Sequence, residues 1–283
     1  MLVDKPAGMS SHDVVQRVRR TLGIRAAGHT GTLDPFATGL LVVLLGRATR
    51  LARFIERQRK RYLATARLGA QTTTDDLTGE IIAESTAWAN IAESRLRETL
   101  AGFQGEQLQT PPLYSAKQVG GERSYRRARR GDPVQLAPVR VTIHSIHLVE
   151  YAPPDLSFRA VVSAGTYIRA VARDLGSRLG VGAHLTALRR ESIGSLSLED
   201  AVPLERLDQL AVLPPHAVLG DLPAVDLDEA SAQAVSHGRP VACSGAAGQW
   251  GSGAVALLAS GRLVGVAEAG DGWLRPTVVL GLS

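Results

Sequence analysis

Apolar residues recur along this chain in two rhythms. Val14, Val15, Val18 and Leu22 fall at helical spacing behind Ser10 or Ser11, either of which can cap a helix start, and Gly23 closes the segment. Ile168, Val171, Ala172, Leu175 and Leu179 likewise mark the inward face of a helix over Thr166–Leu179, and a shorter helix is expected over about Thr49–Ile55. Strands are expected at Leu2–Asp4, Leu40–Leu45, Tyr62–Leu68, Val139–Glu150 and Leu156–Val162. Lys5-Pro6-Ala7-Gly8 reads as a turn, and Gln71–Gly79 as a polar, threonine-rich loop. Between Gln109 and Pro138 the pattern breaks: Pro111-Pro112 and Gly120-Gly121 precede Arg123, Arg126, Arg127, Arg129 and Arg130, so 109–138 reads as an excursion from the core. A short helix over 203–213 is expected before Pro214-Pro215. A helix at Asp228–Ser236 and glycine-punctuated strands at Ala254–Leu258 and Leu263–Val266 then make the tail a small β-rich module. Strands and helices alternate without a regular βαβ beat or an internal repeat, which argues for an α+β fold over a doubly wound sheet.

Length and charge narrow this picture. The 283 residues suit a large domain, 1–222, and a small one, 223–283. The net charge of +5 and the pI near 9.8 favour an anionic partner. That basicity belongs to the first part, since 223–283 holds 3 basic and 5 acidic residues. Only Lys5, Lys60 and Lys117 are lysines against 29 arginines, a bias that suits phosphate and base recognition as well as a GC-rich genome. The single Cys243 excludes a disulfide framework and a thiolate zinc cluster, so a reducing, cytoplasmic compartment is expected. The absence of a signal-like or membrane-length apolar run leads to the expectation of a soluble protein.

The densest chemical signal is Gly28-His29-Thr30-Gly31-Thr32-Leu33-Asp34-Pro35-Phe36-Ala37-Thr38-Gly39. Small, permissive residues frame one carboxylate, as a side chain reaching into a pocket would require, although a glycine-rich turn ending in Asp-Pro has the same composition. The stretch lacks the Gly-Lys-Ser/Thr of a phosphate loop, no GxGxxG opens a helix, and no G-x-S-x-G elbow is present. Seven histidines are scattered without i, i+4 pairing. What remains is a carboxylate working without cofactor or metal. The basic stretches Arg57–Arg61 and Arg123–Arg130 read as solvated faces or as nucleic-acid contacts. With aromatics at 4%, an extended stacking platform is disfavoured, and structured RNA read through shape and phosphates fits better, with Phe103, Tyr114 and Tyr125 near the second cluster.

Five motifs in order carry a resemblance: Lys5-Pro6-x-Gly8-x-Ser10-Ser11-His12; Gly28-His29-x-Gly31-Thr32-Leu33-Asp34-Pro35-x-Ala37-x-Gly39-x-Leu41; Arg61-Tyr62; Gly165-Thr166-Tyr167-Ile168-Arg169; and Gly182-Ala183-His184-Leu185-x-x-Leu188-Arg189-Arg190. Together, over about 1–210, they resemble the TruB family of tRNA pseudouridine synthases. The tail from about Leu222 resembles, more weakly, a PUA-like RNA-binding module. The resemblance implies a pseudouridine-synthase fold, with a mixed, largely antiparallel central sheet flanked by helices. It also implies conversion of the TΨC-loop uridine of tRNA to pseudouridine, which needs no cofactor. By the same resemblance Asp34 is the catalytic aspartate, attacking either the ribose anomeric carbon or C6 of the base. Arg169 is its cationic partner, and Tyr62 stacks on the base and shares in proton transfer. Asp76 matches an orienting acidic position, with Asp75 as rival because Thr73 departs from the usual Thr-Asp-Thr. Lys5, Tyr167 and Leu188 look like supporting and pocket positions, and His29 like a residue packing against RNA or holding its own loop.

The family carries a mobile insertion where 109–138 lies, so Arg123, Arg126, Arg127, Arg129 and Arg130 are expected to grip the T-arm stem-loop, and the segment to be poorly ordered without RNA. Family members usually have more residues before the Lys-Pro turn, so a longer native N-terminus is expected. The tail's excess of acidic residues departs from a basic RNA grip, and a role in shape or stability is expected instead. Two other readings stay open: a non-catalytic RNA-binding protein of the same fold, and a relative acting on another RNA with guide or protein partners. No further assembly surface is evident, so a monomer without guide RNA or membrane contact is expected.

Overall fold

The computed structural model describes residues 1–115, 118–119, 122–124, 127, 130, 132, 136–208, 212–220, 222–242 and 253–281. A ten-stranded mixed sheet forms its centre. Its strands are β1 (Leu2–Lys5), β2 (Ala27–Thr30), β3 (Thr38–Leu45) and β4 (Lys60–Leu68), then β7 (Gly105–Gln109), β10 (Val139–Ala152), β11 (Asp155–Val162), β12 (Ala183–Ile193), β13 (Leu196–Ser197) and β14 (Val202–Pro203). Two hairpins stand outside it: β5 (Ala70–Thr72) with β6 (Ile81–Glu84), and β8 (Gln118–Val119) with β9 (Glu122–Arg123). The central order is β14-β1-β3-β12-β4-β11-β10-β7, with β2 added to β3 and β13 to β12. All its pairings are antiparallel except β1 with β14 and β3 with β12. The expected mixed, largely antiparallel α+β architecture is therefore present.

Helix α1 (Ser11–Leu22) begins at a reciprocal cap in which the Asp13 backbone N–H donates to Ser10 Oγ and the Ser10 N–H donates to Asp13. It ends at Gly23 in the left-handed conformation. The predicted helix at Thr49–Ile55 is instead a 3-10 segment, Gly46–Leu51, running into α2 (Ala52–Glu56). Helix α3 (Glu93–Ala101), which the sequence reading did not identify, seals Leu96 and Leu100 against the sheet together with α4 (Ile168–Leu179). Helix α4 starts two residues later than predicted, with Tyr167 at its N-cap.

The long strand β12 was also missed, and it occupies the middle of the sheet. Arg190 stands on its inward face and His184 is buried on the other, so the apolar alternation that marks a strand is interrupted by buried polar side chains. The helix expected over 203–213 is corrected: 202–203 pair with β1, and 204–206 make a single 3-10 turn that buries Leu204. A β1 edge in need of a partner outweighs the local helical spacing there. Residues 209–211 lie outside the described set.

The tail forms a separate five-stranded sheet, in the order β15-β17-β18-β19-β16, of β15 (Ala224–Asp226), β16 (Val241–Ala242), β17 (Gly253–Ala259), β18 (Arg262–Gly270) and β19 (Trp273–Val279), with α5 (Glu229–Ser236) against it. Ala256, Leu263, Val266, Val278 and Leu280 of this module share one apolar cluster with Leu2, Leu40, Val42 and Ile193 of the central sheet. Arg47 and Arg50 add hydrogen bonds to the Leu280 and Val279 carbonyls, at 2.8 and 2.9 Å. No helix among the described residues is long and apolar enough to cross a membrane.

Candidate active site

The segment between β2 and β3 carries Asp34 and is held in place from below. Ser11, in the first turn of α1, donates its hydroxyl to the Leu33 carbonyl at 3.1 Å and accepts the Leu33 N–H at 2.9 Å. The Gly8 N–H and Lys5 Nζ both donate to the Pro35 carbonyl, at 2.8 and 3.3 Å. The turn after β1 and the start of α1 thus fix the backbone on both sides of Asp34, which gives the Lys-Pro-x-Gly-x-Ser-Ser motif a physical role. Lys5 is fully buried and donates also to the carbonyls of Pro6 and Met9, so it is a brace under the loop rather than a wall of the cavity above it. At Gly39, φ is +102°, and a Cβ there would sit on the Arg190 backbone. The parallel approach of β3 to β12 therefore needs a glycine at this point.

Asp34 opens onto a cavity of about 250 Å³ lined by Tyr62, Tyr167, Arg169, Leu188, Lys60 and Arg190 among others. That volume lies a little below the ~300–1,000 Å³ of typical ligand pockets. Tyr62 on β4 faces inward and lies in register with Arg190, and Leu188 with Ala64, so β4 and β12 supply one wall as neighbouring strands. Tyr167 is placed by Gln109, whose side-chain amide accepts the Tyr167 N–H at 2.8 Å and donates to its carbonyl at 3.1 Å. Burial pushes the Tyr167 phenol above its usual pKa.

Arg169, on the first turn of α4, is 4% exposed and joins two carboxylates. Its Nε and Nη2 meet Asp34 Oδ2 and Oδ1 at 3.0 and 3.2 Å, and its Nη1 meets Asp76 Oδ2 at 3.3 Å. The remaining donors go to the carbonyls of Thr74 and Tyr114, both at 2.9 Å. Asp76 is itself held by Thr74 Oγ1, the Thr78 N–H and Thr78 Oγ1. Desolvation raises the Asp34 pKa, Arg169 opposes that rise, and Asp76 adds to it. About a third of the Asp34 side chain remains open to the cavity mouth. Such a carboxylate is held in place, desolvated and still reachable.

The structure brings Asp34, Tyr62, Tyr167, Arg169 and Leu188 to one cavity, with Asp76 and Lys5 attached through hydrogen bonds. Asp75 is directed elsewhere, to Arg173 at 3.0 Å, with φ of +60°. His29 sits on β2 opposite Val43 and is not among the cavity-lining residues. Of the arginine cluster, Arg127 pairs with Asp132, Arg130 is exposed, and Arg123 lies in β9. Arg126 and Arg129 fall outside the described residues, as does much of the segment expected to be poorly ordered. Lys60, which falls in a basic stretch, and Arg190, which ends the fifth motif, were given no role by the sequence reading, yet both line the cavity. The signal was their parity: Lys60 stands two residues from Tyr62, and Arg190 two from Leu188, on the inward faces of their strands.

Residues 19–168 match the family described as TruB family pseudouridylate synthase (N terminal domain). Residues 169–217 match the tRNA pseudouridylate synthase B C-terminal domain, and 223–280 match Pseudouridine synthase II TruB, C-terminal. The tRNA pseudouridine synthase B of Leifsonia xyli subsp. xyli is 46% identical over 95% of this chain and 91% of its own length. That of Thermobifida fusca is 44% identical over 99% and 97%. Among solved structures, a chain in the crystal structure of a Cbf5-Nop10-Gar1 complex superposes with a TM-score of 0.73 at 28% identity, covering 94% of this chain and 77% of that one. A match running through nearly the whole sequence, around a cavity built on the motif residues, leaves one conclusion: the chain belongs to the TruB family of pseudouridylate synthases.

Proposed function

We infer that this chain is a tRNA pseudouridine synthase that isomerises the uridine of the TΨC loop, with Asp34 as its reacting carboxylate. The observation that carries the reading is the buried Asp34–Arg169–Asp76 network at a cavity of about 250 Å³, flanked by Tyr62, Tyr167 and Leu188. A uridine inside a folded T-loop is stacked, so it must be everted to reach Asp34, at a cost of a few kcal/mol. Stacking against Tyr62 and apolar contact with Leu188 offset that cost. Asp34 attacks the everted nucleoside at the anomeric carbon or at C6. The N1 glycosidic bond breaks, the uracil turns, C5 bonds to the ribose, and the bond to Asp34 breaks, which returns the free carboxylate. The C5 proton leaves and N1 gains one, so composition is unchanged and no cofactor is called for. Arg169 keeps Asp34 ionised in a desolvated cavity, and Asp76 with its threonine donors fixes the guanidinium.

The same reading divides the chain into a catalytic part, 1–222, and an RNA-associated tail, 223–283. It makes the T-arm the partner, gripped through 109–138, with no guide RNA required and the cytoplasm as the place of work. Incubating the protein with an unmodified T-arm stem-loop and mapping pseudouridine tests it. Conversion is expected at a single uridine, and Asp34→Asn should lower the rate at least ~10³-fold while RNA binding stays within about tenfold, as for a group acting mainly in the transition state. Undiminished turnover by Asp34→Asn would remove Asp34 from this role.

A further inference from the structure

Four cations surround the cavity region, and only one of them is matched by carboxylates. Arg169 faces Asp34 and Asp76. Lys5, Lys60 and Arg190 form no ion pair among the described residues, although they are 0%, 7% and 0% exposed. Asp34 acts on Lys5 and Glu56 on Lys60 without an ion-pair contact, and burying such charges is costly, so each calls for an account. Lys5 has one: its ammonium donates to three carbonyls and it does not line the cavity.

Lys60 and Arg190 differ. Lys60 Nζ donates to the Glu56 and Gln58 carbonyls at 2.8 and 2.9 Å, which leaves one ammonium proton free. Arg190 spends Nε on the Leu40 carbonyl at 2.7 Å and Nη2 on the Gly31 carbonyl at 2.9 Å, and its Nη1 has no acceptor among the described residues. The two side chains meet over Gly31. Gly31 has a φ of +67°, for which the turn itself favours glycine, and a Cβ there would lie 3.4 Å from Arg190 Nη1 and 3.4 Å from Lys60 Cε, so its place is a niche bordered by both side chains and continuous with the Asp34 cavity.

We propose that this niche seats a backbone phosphate flanking the everted uridine, with Lys60 and Arg190 as its ligands and Gly31 as the opening that admits it. The proposal rests on the RNA reading above. Uracil itself is neutral and offers no match for two cations that form no ion pair among the described residues, whereas each nucleotide entering the cavity carries a phosphate on either side. Burial and the nearby Arg190 charge lower the Lys60 pKa to about 8, with Glu56 opposing them, and a bound phosphate would act in the same direction as Glu56.

T-arm stem-loops with one methylphosphonate, an uncharged linkage, placed immediately 5′ or 3′ of the target uridine test this on the full chain. Kd and single-turnover pseudouridine formation are measured for wild type, Lys60→Met and Gly31→Ala. One of the two substitutions should weaken wild-type binding about tenfold or more, the scale of a hydrogen bond to a charged group. The same linkage should cost Lys60→Met and Gly31→Ala less than about twofold, because the first lacks a ligand and the second has its niche filled. Equal losses in wild type and Lys60→Met would overturn the assignment. So would a wild type indifferent to both linkages, whether or not the variants fold. Wild-type conversion of the unmodified stem-loop is the control: its absence would count against the pseudouridine reading instead.

Discussion

Because one guanidinium, that of Arg169, faces both Asp34 and Asp76, the ionisation of Asp34 depends on a shared partner. The Asp34 pKa lies above the usual carboxylate value of about 3.9, so activity should be lost as pH falls through that raised value. Arg169→Met removes the cation opposing the rise. Its acidic limb in kcat/KM should move to higher pH, with the plateau lowered about 10²-fold or more. A limb that stays in place would assign Arg169 to architecture alone. Lys5 gives a second test, through stability. Burial lowers its pKa to about 8 in the fold, against the positive contribution of Asp34 and with that of Arg190. Above pH 8 the folded chain has shed a proton that the unfolded chain keeps up to about 10.4, so stability should rise with pH across that window. Denaturant melts at about pH 7.5 and 9.5 should show the rise in wild type, and a smaller one in Lys5→Met. At this scale the sequence revealed Asp34, Tyr62 and Arg169 through their motifs. Lys60 and Arg190 stayed hidden because a run of arginines around Lys60 reads as solvent-facing, and parity within a strand only shows once the strand is known.

Between elements, the closest fit is the parallel contact of β3 with β12 at Gly39. Gly39→Ala must push the Arg190 backbone away and hold a left-handed φ, so a loss of about 2 kcal/mol or more is expected in denaturant melts, although residue 39 does not line the cavity. An unchanged midpoint would show that the strands part at little cost. Elements with uninterrupted apolar rhythm, such as α1, β3 and β11, were legible from sequence within one or two residues. Strand β12 was not, since its inward face mixes Leu185 and Leu188 with Arg190 and its other face buries His184. The segment 203–213 failed differently: its local spacing favoured a helix, and pairing to the β1 edge decided otherwise.

For the molecule as a whole, the tail is joined to the central sheet through a common apolar cluster and through Arg47 and Arg50. Removing 223–283 would expose Leu2, Leu40 and Val42, so the truncated chain should melt at a markedly lower temperature. The tail carries more acidic than basic residues, so wherever the shortened chain remains folded its log-log salt dependence of RNA binding should stay near the full-length slope, about −3 for four phosphate contacts. A slope that collapses would make the tail an electrostatic grip after all. The root of the 109–138 segment leads to a different expectation. Gln109 clamps the Tyr167 backbone, Arg173 holds the Thr110 carbonyl, and Arg169 holds that of Tyr114. On the proposed reading, in which 109–138 grips the stem, the root of that segment is bonded to the residues around Asp34. If stem contacts reach Asp34 through this root, an RNA shortened to the bare loop should be turned over more slowly even at saturation, and not merely bound less well.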